Sequence, residues 1–129
     1  MDGRARVLVI DDEPHLGKLL ARMLDREHAV TVVPSGHEAI EGIAMGNGFE
    51  LILCDVMMPQ MTGIGFYERL SAVAPELVER VVFLTGGAFT PEAQAFLQQP
   101  FIHHIEKPFP LAEFRLAVMA HLQRLGRRR

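Results

Sequence analysis

Hydrophobic runs along this chain stop at residues useful to phosphate chemistry: Asp11 and Asp12 after the first run, Asp55 after the third, Thr85 after the fourth and Lys107 after the fifth. In an open parallel sheet the carboxyl ends of the strands meet in one crevice, so residues far apart in sequence become neighbours in space. Three carboxylates, one hydroxyl and one ammonium would then share a pocket. Carboxylates within roughly 5 Å of one another repel by about 3 kcal/mol per pair at an effective dielectric near 20, so a fold that gathers three of them needs a compensating cation. Oxygen ligands alone, few enough to leave places for water and a phosphate, suit Mg²⁺ better than zinc or a caged Ca²⁺. Asp12 and Asp55 would hold that ion directly and Asp11 through a water. A plainer reading has Asp11 and Asp12 cap the first helix, where its dipole favours negative charge. It accounts for either residue alone, but not for Asp55, Thr85 and Lys107 arriving at the same edge.

The elements that must position these residues alternate five times between a short apolar run and a segment of helical period. Such alternation implies right-handed crossovers and a parallel sheet covered on both faces, an α/β architecture. The strands read as Arg6 to Ile10, Ala29 to Val33, Glu50 to Cys54, Arg80 to Leu84 and Phe101 to Ile105. The first helix begins near Pro14 and sets Leu16, Leu19, Leu20, Met23 and Leu24 on one inward face. Ser35 with Glu38 forms a capping box for the second, which turns Ile40, Ile43 and Ala44 inward and ends at Gly46-Asn47-Gly48. The third offers Phe66, Leu70 and Val73 before Pro75. Thr90 and Pro91 start the fourth, with Ala93, Phe96 and Leu97 following. Pro110 opens the last helix, whose Leu111, Phe114, Val118, Leu122 and Leu125 hold one face until Gly126.

Composition narrows the class. With 129 residues, 49% of them hydrophobic, the chain can build one sizeable core, so a single domain over residues 1–129 is expected, its core spanning about 6–125 and leaving no room for a fused output domain. Net charge is −3 and the basic residues are scattered apart from Arg124, Arg127, Arg128 and Arg129, which argues against nucleic acid as a direct partner. Cys54 is the single cysteine, so no internal disulfide and no cysteine-based zinc site can form, and its place in a buried run makes it a core residue. Apolar runs are too short for a membrane span and the first residues lack signal-peptide character. A cytoplasmic protein without membrane contact is expected.

Four segments together carry a resemblance: Val7-Leu8-Val9-Ile10-Asp11-Asp12-Glu13-Pro14, Leu53-Cys54-Asp55-Val56-Met57-Met58-Pro59-Gln60-Met61-Thr62-Gly63, Leu84-Thr85-Gly86-Gly87 and Glu106-Lys107-Pro108-Phe109. In order and spacing they resemble the receiver domain of two-component response regulators, over Arg6 to about Leu125. The resemblance implies a flavodoxin-like, doubly wound five-stranded sheet in the order 2-1-3-4-5 with five helices. It implies that Asp55 is the phosphoacceptor, served by a phosphohistidine on a histidine kinase or histidine phosphotransfer domain, with Thr85 and Lys107 contacting the phosphoryl oxygens. Mg²⁺ would be held by Asp11, Asp12, Asp55 and the backbone carbonyl of Met57, and the Lys107–Pro108 bond would be cis, aiming the ammonium inward. Such a domain assists its own phosphorylation and dephosphorylation but is not an enzyme in the ordinary sense. It would pass the signal to a downstream protein through the surface of the fourth helix, fifth strand and fifth helix. The stretch from Thr90 into Pro100-Phe101-Ile102 looks more like receivers of hybrid histidine kinases than those of DNA-binding regulators. Without the charge pattern of dimerising transcriptional receivers, a monomer or weak dimer is expected.

Two positions depart from the family pattern. The switch aromatic, three residues before the lysine, is here His104, an imidazole that is smaller, polar and chargeable near neutral pH. A plainer reading makes His103 and His104 neighbours on an edge strand pointing to opposite faces, one of them exposed. The side chains two residues after the phosphoacceptor and two after the hydroxyl, which influence water access, are Met57 and Gly87; neither orients a water, so a long-lived phosphoryl state is expected. Rival functions fit less well. A flavin carrier needs a phosphate loop rich in Ser, Thr and Gly where Asp11-Asp12-Glu13 stands, and an aspartyl-phosphate hydrolase wants an acid where Met57 stands. The strongest rival is a pseudo-receiver, an interaction module independent of phosphorylation, against which the intact Asp12, Asp55, Thr85 and Lys107 argue.

Overall fold

The computed structural model describes residues 4–58, 60–86 and 90–126. Readings that fell on Pro59, Gly87 and Arg127 to Arg129 lie outside the described residues. Elements follow in the order β1 (Ala5–Ile10), α1 (Pro14–Leu24), β2 (His28–Val33), α2 (Gly36–Ala44), β3 (Leu51–Asp55), α3 (Gly63–Val73), β4 (Val81–Thr85), α4 (Pro91–Leu97), β5 (His103–Glu106) and α5 (Leu111–Arg124). The strands form one parallel sheet in the order β2-β1-β3-β4-β5, the expected doubly wound arrangement.

Alternation along each strand divides the core into two layers. Leu8, Ile10, Ile52 and Phe83 meet Ile40 of α2, Phe66 of α3 and Leu97 of α4 on one face. Val7, Val9, Leu53 and Leu84 meet Leu20 of α1 and Phe114 and Val118 of α5 on the other. Helices on both sides explain why β3 and β4 read as unbroken apolar runs.

Every strand departs from its expected range by one or two residues at one or both ends, and the differences at β3, β4 and β5 matter most for the site. Pairing of Asp55 with Leu84 and of Thr85 with Glu106 makes Asp55 and Thr85 the last residues of their strands, not the first residues beyond them. β5 is shorter than the run Phe101 to Ile105 because the Ile102 amide donates to the Gln99 carbonyl at 3.0 Å, holding that stretch in a turn. Phe101 is consequently exposed.

Leu19, Ala44, Val73 and Leu111, expected on inward helix faces, are exposed. One step along a helix rotates a side chain by about 100°, and each of these residues sits at the margin of its stripe. α1 buries Gly17, Leu20 and Leu24 while Leu19 is 50% exposed, and α2 buries Gly36, Ala39, Ile40 and Ile43. After α3 the chain turns into a short 3₁₀ segment (Pro75–Arg80) that the sequence reading did not contain, so Ala74 is buried and Val73 is not. Arg80 fastens this segment by donating from Nη1 to the Phe49 carbonyl at 2.7 Å.

The helix starts follow their caps. Ser35 Oγ accepts from the Glu38 amide at 3.2 Å, Thr62 Oγ1 from the Gly65 amide at 3.1 Å and Thr90 Oγ1 from the Ala93 amide at 3.1 Å. Gly46 and Gly126, with φ of +97° and +96°, close α2 and α5 in the left-handed conformation that glycine adopts without strain.

Candidate functional site

All five sequence-selected residues meet at the carboxyl edge of the sheet. Asp11 follows β1 and its amide donates to the Val33 carbonyl at 3.1 Å. Asp55 ends β3 and Thr85 ends β4; Lys107 follows β5, its amide fixed by the Thr85 carbonyl at 2.7 Å. Lys107 Nζ then stands 3.5 Å from Asp55 Oδ2, while Asp55 Oδ1 accepts from the Met57 amide at 3.0 Å. The Lys107–Pro108 peptide is cis.

Asp11, Asp12 and Asp55 each present an oxygen within 4.8 Å of the others. Asp12 is exposed and Asp55 half-buried, whereas Asp11 and Thr85 are each 1% exposed. The capping reading is true of one atom: Asp11 Oδ1 accepts from the Glu13 amide at 2.9 Å. Its Oδ2 and the Thr85 Oγ1 are buried without a hydrogen-bond partner among the described residues. A buried polar atom left unsatisfied costs about 1–3 kcal/mol, so two of them at the carboxyl edge of one sheet suit a place that receives a bound group. Burial raises the Asp11 carboxyl above its ordinary range, the Glu13 amide pulls it down, and the negative charge of Asp55 raises it again. An all-oxygen set of three carboxylates with an orphaned oxygen fits a hard divalent cation such as Mg²⁺.

That fit predicts a linkage. Mg²⁺ at about 100 times its dissociation constant should stabilise the fold by roughly 2.7 kcal/mol. Asp12→Asn should lose most of that gain while unfolding no earlier than the wild type in metal-free buffer, since it removes one repulsion. Calorimetric scans with EDTA and with Mg²⁺ check it; a wild-type midpoint indifferent to Mg²⁺ would refute the cation site.

His104 lies on β5 opposite Phe83 and is exposed, while half-buried His103 faces α5. The two histidines do point to opposite faces. His15 is an exposed residue in the first turn of α1. Of the loop methionines, Met58 is buried, Met61 packs against the core and Met57 is exposed.

Thr62 and Gly63 close one of the family-like segments but were given no role from sequence; they set the loop between Asp55 and α3. The Gly63 amide donates to the Val56 carbonyl at 2.8 Å, and a Cβ at Gly63 would stand 2.7 Å from the Asp55 carbonyl oxygen. The available signal was a Thr-Gly pair at the first turn of an amphipathic segment. Rings of Tyr67, Phe83 and Phe96 back this region, with Phe83 and Phe96 edge to face at 5.4 Å.

Comparison with known proteins agrees with this geometry. Residues 7–119 match the response regulator receiver domain family. The transcriptional regulatory protein TcrA of Mycobacterium tuberculosis is 32% identical over 124 residues, covering 95% of this chain and 46% of that protein. A response regulator receiver protein of Sinorhizobium medicae superposes with a TM-score of 0.76 at 26% identity, covering 95% of this chain and 97% of that one. The receiver domain of a signal transduction histidine kinase from Syntrophus aciditrophicus has the same fold, with a TM-score of 0.80 at 24% identity over 97% of this chain and 95% of its own. The chain spans about half the length of curated relatives such as TcrA and the YkoG regulator of Bacillus subtilis. The matched family, the strand order and the acidic crevice agree: this chain belongs to the response regulator receiver domain family.

Proposed function

We propose that the domain accepts a phosphoryl group on Asp55 from a phosphohistidine of a histidine kinase or histidine phosphotransfer protein. The observation that carries this reading is the pairing of Asp55 Oδ2 with Lys107 Nζ at 3.5 Å at the sheet edge that also holds the Thr85 hydroxyl, unpartnered among the described residues. A carboxylate oxygen attacks phosphorus, the phosphorus–nitrogen bond to the imidazole breaks, and an acyl phosphate forms on Asp55. The transition state of phosphoryl transfer is loose, so positioning and charge neutralisation supply most of the acceleration. The Lys107 ammonium takes one phosphoryl oxygen and the Thr85 hydroxyl donates to another. Asp11, Asp12, Asp55 and the Met57 carbonyl would hold Mg²⁺, whose charge, when bound, offsets that of the phosphoryl oxygens.

Modification would shift a pre-existing equilibrium, because a phosphoryl oxygen offers an acceptor to the Thr85 hydroxyl, which is buried without a partner among the described residues. The responding surface is α4, β5 and α5, with His104 as its switch residue, and a downstream protein reads it. Exposed Met57 offers no polar group to an attacking water, which supports a long-lived phosphoryl state. No described helix is long and apolar enough to cross a membrane, and with a single buried thiol at Cys54 a cytoplasmic setting fits.

The test is intact mass after incubation with acetyl phosphate, with and without Mg²⁺, for the wild type and Asp55→Asn. A single Mg²⁺-dependent phosphoryl adduct absent from the variant is expected. No adduct, even with a phosphohistidine donor, would replace this reading by an interaction module independent of phosphorylation.

A further inference from the structure

Away from the acidic crevice, β5 and α5 bring two imidazoles into ring contact. His103 and His121 lie with centroids 5.3 Å apart and planes at 69°. Arg124, three residues on from His121, donates from Nε to His121 Nδ1 at 3.1 Å and from Nη1 to the Glu79 carbonyl at 3.3 Å. A guanidinium is only ever a donor, so the Nδ1 that accepts from it carries no proton and His121 is neutral, with its hydrogen on Nε2. A proton on Nδ1 would end the contact twice over, turning the acceptor into a donor and setting two cations against each other.

We infer that His121 and Arg124 form a proton-released latch on the end of α5: with His121 neutral, the last turn is tied to His103 of β5 and to the 3₁₀ segment before β4, and with His121 protonated it is let go. The inference goes beyond the phosphotransfer reading and does not require Asp55 to be modified. The charged and titratable groups around the latch favour the neutral imidazole. His103 faces His121 from β5 with His104 beside it, Arg124 approaches from α5 itself, and burial lowers Arg124 while Glu79 of the 3₁₀ segment partly offsets that. Burial, then Arg124, then His103 push His121 down to about 4, and burial and Arg124 lower His103 as well. In the unfolded or opened turn His121 regains its ordinary affinity for protons, near 6.5. The open form therefore binds more protons between about 6.5 and about 4, so the latch is fully closed above that window and loses its hold as pH falls through it.

Two NMR measurements on the 129-residue chain test this. Imidazole nitrogen spectra should show His121 as the Nε2–H tautomer, titrating well below the ordinary imidazole value near 6.5. Amide exchange at Leu125 and Gly126, which donate to the His121 and Gln123 carbonyls at 3.0 Å each, should accelerate about tenfold from pH 7 to pH 5 after correction for the intrinsic rate. His121→Gln keeps an acceptor for Arg124 but cannot titrate, so its exchange should lose the acid response. Arg124→Met should raise the His121 midpoint toward the ordinary imidazole value. The inference is overturned if His121 titrates at the ordinary imidazole value near 6.5, if it carries its proton on Nδ1, or if His121→Gln keeps the same acid response. Should His121→Gln fail to fold, the wild-type titration and tautomer decide the matter alone.

Discussion

Gly63→Ala is expected to lower stability by about 2–3 kcal/mol, the upper part of the range for overpacked sites, and to slow phosphorylation of Asp55. The new Cβ would stand 2.7 Å from the Asp55 carbonyl oxygen, 2.9 Å from Val56 Cα and 3.1 Å from Phe83 Cε1. The two shortest contacts are to backbone, which cannot rotate away. Phe83 has little room to yield, since its ring lies 6.1 Å from that of Tyr67 and 5.4 Å from that of Phe96. Relief must come from moving α3 or the end of β3, and the end of β3 is Asp55, the proposed phosphoacceptor. A thermal midpoint lower by roughly 10 °C is the corresponding reading. Gly48→Ala is the control, because a Cβ there meets nothing within 4 Å and the change should be close to neutral. A Gly63→Ala protein as stable as that control would show that the helix start is not held against β3 as described.

Lys107→Met is expected to slow phosphorylation by acetyl phosphate on the order of 10²-fold, the usual loss when one preorganised electrostatic partner is removed from a transferring group. The same substitution should tighten Mg²⁺ binding. Lys107 Nζ, 3.5 Å from Asp55 Oδ2, is the one cation whose ion pair with the acidic cluster occurs among the described residues, and it repels a second cation there. Opposite signs for the two effects separate a residue acting on the phosphoryl oxygens from one that merely holds the loop. Phosphorylation rates followed by intact mass, with Mg²⁺ affinity from isothermal titration, check both. A wild-type rate would remove Lys107 from the proposed chemistry, and weaker Mg²⁺ binding would mean that the substitution had disturbed the carboxylates.

Much of this protein was legible from its residues because local and long-range signals agreed. Unbroken apolar runs at β3 and β4 can be satisfied only by burial on both faces, and helical stripes between them force parallel crossovers; from those two facts the sheet and its edge follow. Side chains at the ends of β1, β3, β4 and β5 then have to meet, which is why Asp11, Asp12, Asp55, Thr85 and Lys107 could be chosen before any coordinates. Cap residues were equally readable, since Ser35 and Thr90 act within three residues of themselves.

What the tertiary structure alone decided depends on contacts between elements. Helix period shows that Leu19, Val73 and Leu111 are apolar, but the angle at which each helix meets the sheet selects which apolar residues are covered, and these were left exposed. The strand ends moved by one or two residues because a neighbouring strand or turn supplied the partner for each backbone amide. The close approach of Gly63 to Asp55 and the bond from Arg124 to His121 leave no periodic trace. The first joins a helix start to a strand end, and the second gains its meaning from His103 on β5 and the Glu79 carbonyl before β4. The chemistry at the carboxyl edge was written in residue types at strand ends, whereas the orphaned Asp11 Oδ2 and Thr85 Oγ1 came into view only once burial had removed water from both.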